Sequence, residues 1–278
     1  DPHDRNGLWR DLRRLQRLHL TSIADRTLHL VDLALWDLAA RAAGLPVYKY
    51  IGAARDRVPA YASTVVPSLD DPYLRTADDF ADLAERCVEL GFRAFKLHTW
   101  SDWDESQRSV GRDIEAAERV RTRVGPNVEL MMDPFHFYSR AEALTLGRAL
   151  AELDFLWLEE PMDEDSMSAY AWLRDRVHVP IAGPEVAEGK VSTRAEWIAH
   201  GACDYARVGS IDVGGITPML KVIGLCDAFN VPLTFHLGGL SSLHAIASMA
   251  APGAMFEYGL LHPAELGAEG HPPWLEAP

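Results

Sequence analysis

The sequence predicts an α/β protein built on a parallel sheet, and within that class a (β/α)8 TIM-type barrel. Three observations carry this prediction. Strand-like and helix-like runs alternate between residues 58 and 258, with eight strands at a repeat of about 25 residues. Nearly every strand ends in an ionisable residue, as expected of a barrel whose chemistry sits at the C-terminal ends of its strands. No Gly-x-Gly-x-x-Gly follows the first strand, which counts against an open dinucleotide-binding sheet, the other fold with this alternation.

The elements follow in order. Residues 8–26 are basic and mixed and read as an exposed helix. Residues 27–43 read as a second helix, with Leu28, Val31, Leu35, Leu38 and Ala42 on one face and Gly44 and Pro46 as stop signals. Strands are expected near 58–65, 92–98, 127–132, 155–160, 180–184, 204–208, 231–236 and 254–258. Helices are expected near 77–90, 105–123, 140–153, 166–176, 193–200, 216–229 and 242–250. Thr76 with Asp79, Ser139 with Glu142 and Thr193 with Glu196 have capping-box spacing. Gly91 and Gly201 stand where left-handed helix caps are expected.

Composition narrows the function. Of 278 residues, 48% are hydrophobic, enough for a large core, and the net charge of −14 disfavours nucleic acid and anionic membranes as partners. Cys87, Cys203 and Cys226 have no metal-like spacing and suit a reducing compartment. With no run of 18 apolar residues and no signal-peptide pattern, a cytoplasmic location is expected.

The strand ends carry the candidate chemistry. Lys96 and His98 end the second strand, Asp133 the third, Glu159 and Glu160 the fourth, Glu185 the fifth, Arg207 the sixth with Asp212 just beyond, His236 the seventh and Glu257 the eighth. Asp133, Glu159 and Glu185 are spaced by 26 residues each. Adjacent strands would present these three carboxylates at equal depth, and a divalent cation relieves their repulsion. All-oxygen ligation suits Mg²⁺, with Mn²⁺ the alternative. Adjacent side chains on a strand face opposite ways, so Glu159 is the candidate ligand and Glu160 an outer partner, for a cation such as Arg207. Lys96 and His98, two apart, share a face, and His236 offers a second nitrogen base. A base on each side of a metal serves removal of a proton next to a carboxylate. Taken singly, a strand lysine is more often a snorkelling surface residue, and a lone carboxylate is usually solvated.

Several stretches resemble the enolase superfamily, in its mandelate racemase and muconate lactonising branch, which includes acid-sugar dehydratases. They are Asp32-Leu-Ala-Leu-Trp-Asp-Leu-Ala39 with Gly44-Leu-Pro-Val-Tyr48, Val58-Pro-Ala-Tyr-Ala-Ser63, Trp157-Leu-Glu-Glu-Pro161 and Gly214-Gly-Ile-Thr217. The resemblance implies Mg²⁺ on Asp133, Glu159 and Glu185, with Lys96 and His236 as bases. It implies three parts: residues 1–57 as the helical remnant of an N-terminal α+β capping domain, 58–262 as the barrel, and 263–278 as a tail returning toward the cap. It also implies a homo-oligomer. Four features depart from the pattern. His98 replaces the second lysine of Lys-x-Lys, and Gly209 stands where an aspartate normally orients the strand-7 histidine, with Asp212 three residues on as the substitute. Phe135 replaces a polar residue, with His136 beside it, and the sequence starts within the helical part of the cap, so that either the sequence is incomplete or the cap is reduced.

The leading expectation is a Mg²⁺-dependent lyase that dehydrates a sugar acid to a 2-keto-3-deoxy acid through an enediolate, with Lys96, His98 and His236 as catalytic residues. Glu257, Asp212, Arg207 and His136 are the substrate-binding candidates. A racemase or epimerase using the same site is the alternative. A Schiff-base aldolase on Lys96 leaves the carboxylate triad unexplained. A barrel that binds metal or ligand without turnover is the reading from another class.

Overall fold

The computed structural model describes residues 1, 3–19, 23–68, 70–100, 108–188, 190–237, 239–249 and 254–266. Helices α1 (Arg5–Leu18), α2 (Asp25–Ala42) and α3 (Val47–Ile51) come first. The alternation then runs β1 (Ala60–Thr64), α4 (Ala77–Glu89), β2 (Ala94–His98), α5 (Val110–Val124), β3 (Glu129–Asp133), α6 (Arg140–Glu152), β4 (Trp157–Glu159), α7 (Met167–Arg174), β5 (Ile181–Ala182) and α8 (Lys190–Ala199). It closes with β6 (Ala206–Val208), a short α9 (Ser210–Val213), α10 (Ile216–Phe229), β7 (Leu233–Phe235), α11 (Gly239–Ser248) and β8 (Phe256–Leu261). All eight expected strands are present, and the short helices α3 and α9 are additions. Residues 105–107 of the helix expected near 105–123 and 267–278 of the expected tail lie outside the described residues.

Local chemistry explains most boundaries. Thr76 and Ser139 form complete capping boxes with Asp79 and Glu142. The expected box at Thr193 does not form. Helix α8 starts earlier, at Lys190, so Thr193 lies inside it and its hydroxyl bonds to the Glu188 carbonyl.

The chain packs as two compact units. One comprises Ala60–Gly183, Gly201–Asp204 and Glu257–Pro278. Its sheet has the order β5-β4-β3-β2-β1-β8, in which consecutive strands from β1 to β5 pair in parallel. That sequential order, with β8 beside β1, is the order of a (β/α)8 fold. The register aligns Ser63 with Lys96, Lys96 with Met131 and His98 with Asp133. Behind β2, Thr99 Oγ1 donates to Asp113 at 2.7 Å and the Tyr138 hydroxyl donates to the same carboxylate. Burial raises the Asp113 pKa to about 6, against the hydrogen bonds from Tyr138 and Thr99 and the Arg112 charge, which pull it down.

The other unit comprises Asp1–Pro59, Pro184–His200 and Tyr205–Phe256. Here β6 and β7 pair in parallel, with Arg207 beside Thr234. Helix α2 buries a different face from the one its apolar pattern predicts. Leu28, His29, Asp32, Trp36, Ala39 and Ala40 are buried, while Val31 and Leu38 are 39% and 54% exposed. The buried stripe is partly polar because it holds the start of α10. Asp32 accepts from the Thr217 amide at 2.9 Å and from Thr217 Oγ1 at 2.6 Å, and Trp36 Nε1 donates to the same hydroxyl at 3.0 Å. Gly215 has φ +135°, and a Cβ there would meet Asp32 Cβ at 2.6 Å, so glycine is required twice over. No helix among the described residues is long and apolar enough to cross a membrane.

Candidate active site

Parallel pairing delivers the first cluster. Residues in register on neighbouring strands share a face, so Lys96 and His98 on β2 face the same way as Asp133 on β3. Lys96 is 1% exposed, and its Nζ lies 3.1 Å from Asp133 Oδ2, 2.6 Å from Glu159 Oε1 and 2.8 Å from Glu257 Oε1. One ammonium thus faces three buried carboxylates. Burial opposes ionisation of Asp133, but the charges of Lys96 and His98 overcome it and hold this carboxyl well below the usual range.

His98 Nδ1 lies 2.7 Å from the Thr64 carbonyl, a contact that aims Nε2 at Asp133 Oδ2, 3.0 Å away. Trp157 Nε1 donates to Glu159 Oε2 at 2.8 Å, and Ser63 Oγ donates to Glu257 Oε1 at 2.9 Å. Ser63 and Trp157 were not picked out from the sequence. The folded strand register brings them to the site: Ser63 aligns with Lys96, and Trp157 sits two residues before Glu159.

The loops after β3 and β4 are strained. Phe135, His136 and Glu160 have φ of 56°, 63° and 29°, left-handed values that side chains disfavour and that gather at functional sites. The turn is tied by the His136 amide donating to the Glu160 carbonyl at 2.8 Å, and His136 Nε2 lies 3.1 Å from Glu160 Oε1. Glu160 therefore meets an imidazole within its own unit.

The second cluster belongs to the other unit. Glu185 Oε2 accepts from Arg207 Nε at 2.6 Å, and Glu185 Oε1 lies 3.2 Å from His236 Nε2. The Arg207 guanidinium is fully buried and also donates to Thr234 Oγ1 at 3.2 Å. Buried Arg194 donates to the carbonyls of Glu185, Ala187 and Lys190, and so pins the loop that carries Glu185. Asp212 Oδ2 lies 2.8 Å from His236 Nδ1. Gly209 makes room for this pair, since a Cβ there would collide with Asp212 Oδ2 and meet His236 Cβ at 3.2 Å. Burial alone would lower the His236 pKa; the Glu185 charge and the Asp212 hydrogen bond outweigh it and raise the value to about 9.

The donor set is the all-oxygen set that a hard divalent cation takes. Among the described residues, no three imidazole, thiol or carboxylate groups form a ready metal cage. Asp133 and Glu159 instead share the Lys96 ammonium, and Glu185 meets the Arg207 guanidinium. The first pair fits a cation on its own evidence, because two buried carboxylates already converge on one positive charge. The thiols take no part. Burial pushes Cys87 and Cys226 up to about 12.

The model of the "Enolase C-terminal domain-like" family matches residues 79–272. The chain belongs to this family. Its fold and sequence also match individual members of the enolase superfamily. D-glucarate dehydratase from Agrobacterium tumefaciens, crystallised with magnesium, matches over 95% of this chain and 68% of that one, with 47% identity and a TM-score of 0.91. L-talarate dehydratase from Polaromonas, crystallised with Mg and L-glucarate, covers 93% of this chain and 68% of that one at 28% identity and a TM-score of 0.79. Arabinonate dehydratase of Saccharolobus solfataricus is 31% identical over 230 residues, which are 80% of this chain and 58% of that enzyme. The chain thus spans between 54% and 61% of the length of the curated relatives it matches first.

Proposed function

We propose that this chain carries the catalytic part of a Mg²⁺-dependent acid-sugar dehydratase. It would take a 2-hydroxy carboxylate to a 2-keto-3-deoxy acid and release water. The observation that carries the reading is the buried Lys96 ammonium gathered with Asp133 and Glu159 at the ends of three neighbouring strands. Asp133, Glu159 and Glu185 are the proposed ligands. When bound, Mg²⁺ supplies Lewis-acid stabilisation of the negative charge that builds on the substrate carboxylate as its α-proton leaves.

The chain's own residues would move the protons. Lys96 or His98 takes the α-proton on one face, and the hydrogen bond of His98 to Thr64 keeps Nε2 directed. His236 protonates the departing β-hydroxyl, which leaves as water, and Asp212 holds its Nδ1 so that Nε2 faces the substrate. Glu257 and His136 are the proposed contacts to the substrate's carboxylate and hydroxyls. Arg207 is better read as the partner that fixes Glu185 than as a substrate contact, since it is fully buried against it.

Similarity to the D-glucarate and L-talarate enzymes favours an acid sugar as substrate. The presence of two nitrogen bases keeps epimerisation as the second reading. Incubation with a panel of acid sugars in D₂O and Mg²⁺ separates the two. A 2-keto product is expected. Deuterium at the α-carbon without a keto product would mean epimerisation, and neither change across the panel would defeat both readings.

A further inference from the structure

Asp113 is a buried carboxylate that the proposed chemistry leaves unused. It lies in the first turn of α5 and is 3% exposed. Both groups that hydrogen-bond to it are hydroxyls. Thr99 Oγ1 donates to Asp113 Oδ2 at 2.7 Å, and the Tyr138 hydroxyl donates to the same oxygen. Burying a carboxylate costs stability, and an apolar side chain at this point of α5 avoids that cost. The places of its two donors give the carboxylate a use.

The donors stand at the exits of two neighbouring strands. Thr99 follows His98, the last residue of β2. Adjacent side chains on a strand face opposite ways, so His98 turns toward Asp133 while Thr99 turns toward α5. Tyr138 closes the turn that leaves β3. That turn opens with the Phe135 amide donating to Asp133 Oδ1 at 3.1 Å and ends with the Tyr138 amide donating to the Pro161 carbonyl at 3.0 Å. Between these points Phe135 and His136 are left-handed, and such strain persists only where the surroundings over-determine it. One oxygen of Asp113 therefore fastens two exits, one beside His98 and the other two residues from His136.

We infer that Asp113 is a positioning residue for His98 and His136: by bridging Thr99 and Tyr138, its carboxylate sets where the proton-transfer group stands relative to the substrate contact. The inference makes the start of α5 part of the apparatus, and it rests on the roles given to His98 and His136 above. From the other side, Thr64 on β1 holds the same exit, since its Oγ1 accepts from the His98 amide at 2.8 Å. The raised pKa of Asp113 agrees with a carboxyl kept for its two hydrogen bonds rather than for its charge.

The test uses four variants of the full chain. Asp113→Leu removes the acceptor and keeps bulk, and Asp113→Asn keeps an acceptor. Thr99→Val and Tyr138→Phe each delete one hydroxyl at nearly constant shape. Amide hydrogen exchange is read at His98, at His136, whose amide donates to the Glu160 carbonyl at 2.8 Å, and at Leu158 of β4 as the reference. Relative to Leu158, Thr99→Val should speed exchange at His98 about tenfold, Tyr138→Phe should do so at His136, and Asp113→Leu at both. Asp113→Asn should match wild type. No change at His98 and His136, an equal rise at all three amides, or an Asp113→Asn variant as loose as Asp113→Leu overturns the inference. If Asp113→Leu does not fold, the two hydroxyl variants decide alone. With an active acid sugar, Thr99→Val should lower kcat about tenfold with KM within about twofold, and Tyr138→Phe should raise KM about tenfold with kcat within about twofold. The same change in both parameters for both variants contradicts it. If the wild type turns over no acid sugar, the proposed function falls, while amide exchange still decides the role of Asp113.

Discussion

Lys96, His98, Asp133 and Glu159 stand on strands, whereas Asp212 stands in a four-residue helix and reaches His236 across the space left by a glycine. The two clusters solve the same problem differently. In the first, parallel register and the two-residue period fix every side chain, so geometry follows from counting. In the second, position depends on Gly209 and on the Ser210–Ser241 contact, neither of which a count supplies. Strand-built chemistry is therefore robust and legible, and loop-built chemistry is adjustable and hidden.

The largest expected effect breaks the strand cluster. Lys96→Met removes the one ammonium among Asp133, Glu159 and Glu257. Loss of a general base costs between about 10² and 10⁴ in rate. Leaving buried carboxylates without their cation costs about 3–5 kcal/mol of stability. Denaturation in EDTA and then in saturating Mg²⁺ checks this, and the ion should recover part of the deficit. Equal stability of variant and wild type in EDTA would contradict the ammonium's role.

Next comes the loop cluster. Gly209→Ala puts a Cβ where Asp212 Oδ2 now lies, and so separates Asp212 from His236. Rate should fall about a hundredfold with KM little changed, and Asp212→Asn should match it. If Gly209→Ala were neutral while Asp212→Asn was not, the glycine would not be making room for the pair.

The comparison also has an internal control in Asp113. Thr99 and Tyr138 hydrogen-bond to it, and burial raises its pKa to about 6, whereas Asp133 beside Lys96 and His98 is held low. A carboxyl raised on folding binds its proton more tightly in the native state. Stability therefore falls as pH rises from the unfolded value of 3.8 through the folded value of about 6, and is flat above. A shift of this size is on the order of 2–3 kcal/mol. Asp113→Asn, which cannot ionise, should gain that margin over wild type between pH 4 and pH 7 in denaturant titrations. A constant margin across that range would exclude the raised pKa.

Much of this was legible in the sequence. Eight strands, most helix boundaries and two of three capping boxes follow from period, punctuation and spacing. The face of α2 was misread because apolar spacing cannot anticipate a buried stripe that contains Asp32 and His29. The Thr193 box failed because the helix began at Lys190, a left-handed residue with φ of 59° that no propensity favours. The partners of the site residues were hidden for a simpler reason. Ser63, Trp157 and Thr64 reach their targets through register, which is set in three dimensions and is not written in any one segment.

The central proposal is that Asp133, Glu159 and Glu185 serve one ion. Isothermal titration of Mg²⁺ into wild type, Asp133→Asn, Glu159→Gln and Glu185→Gln tests it directly, with circular dichroism to verify folding. Wild type should bind one ion, and each substitution should weaken it by about a hundredfold or more. Wild-type affinity in Glu185→Gln, with loss confined to the other two, would contradict it.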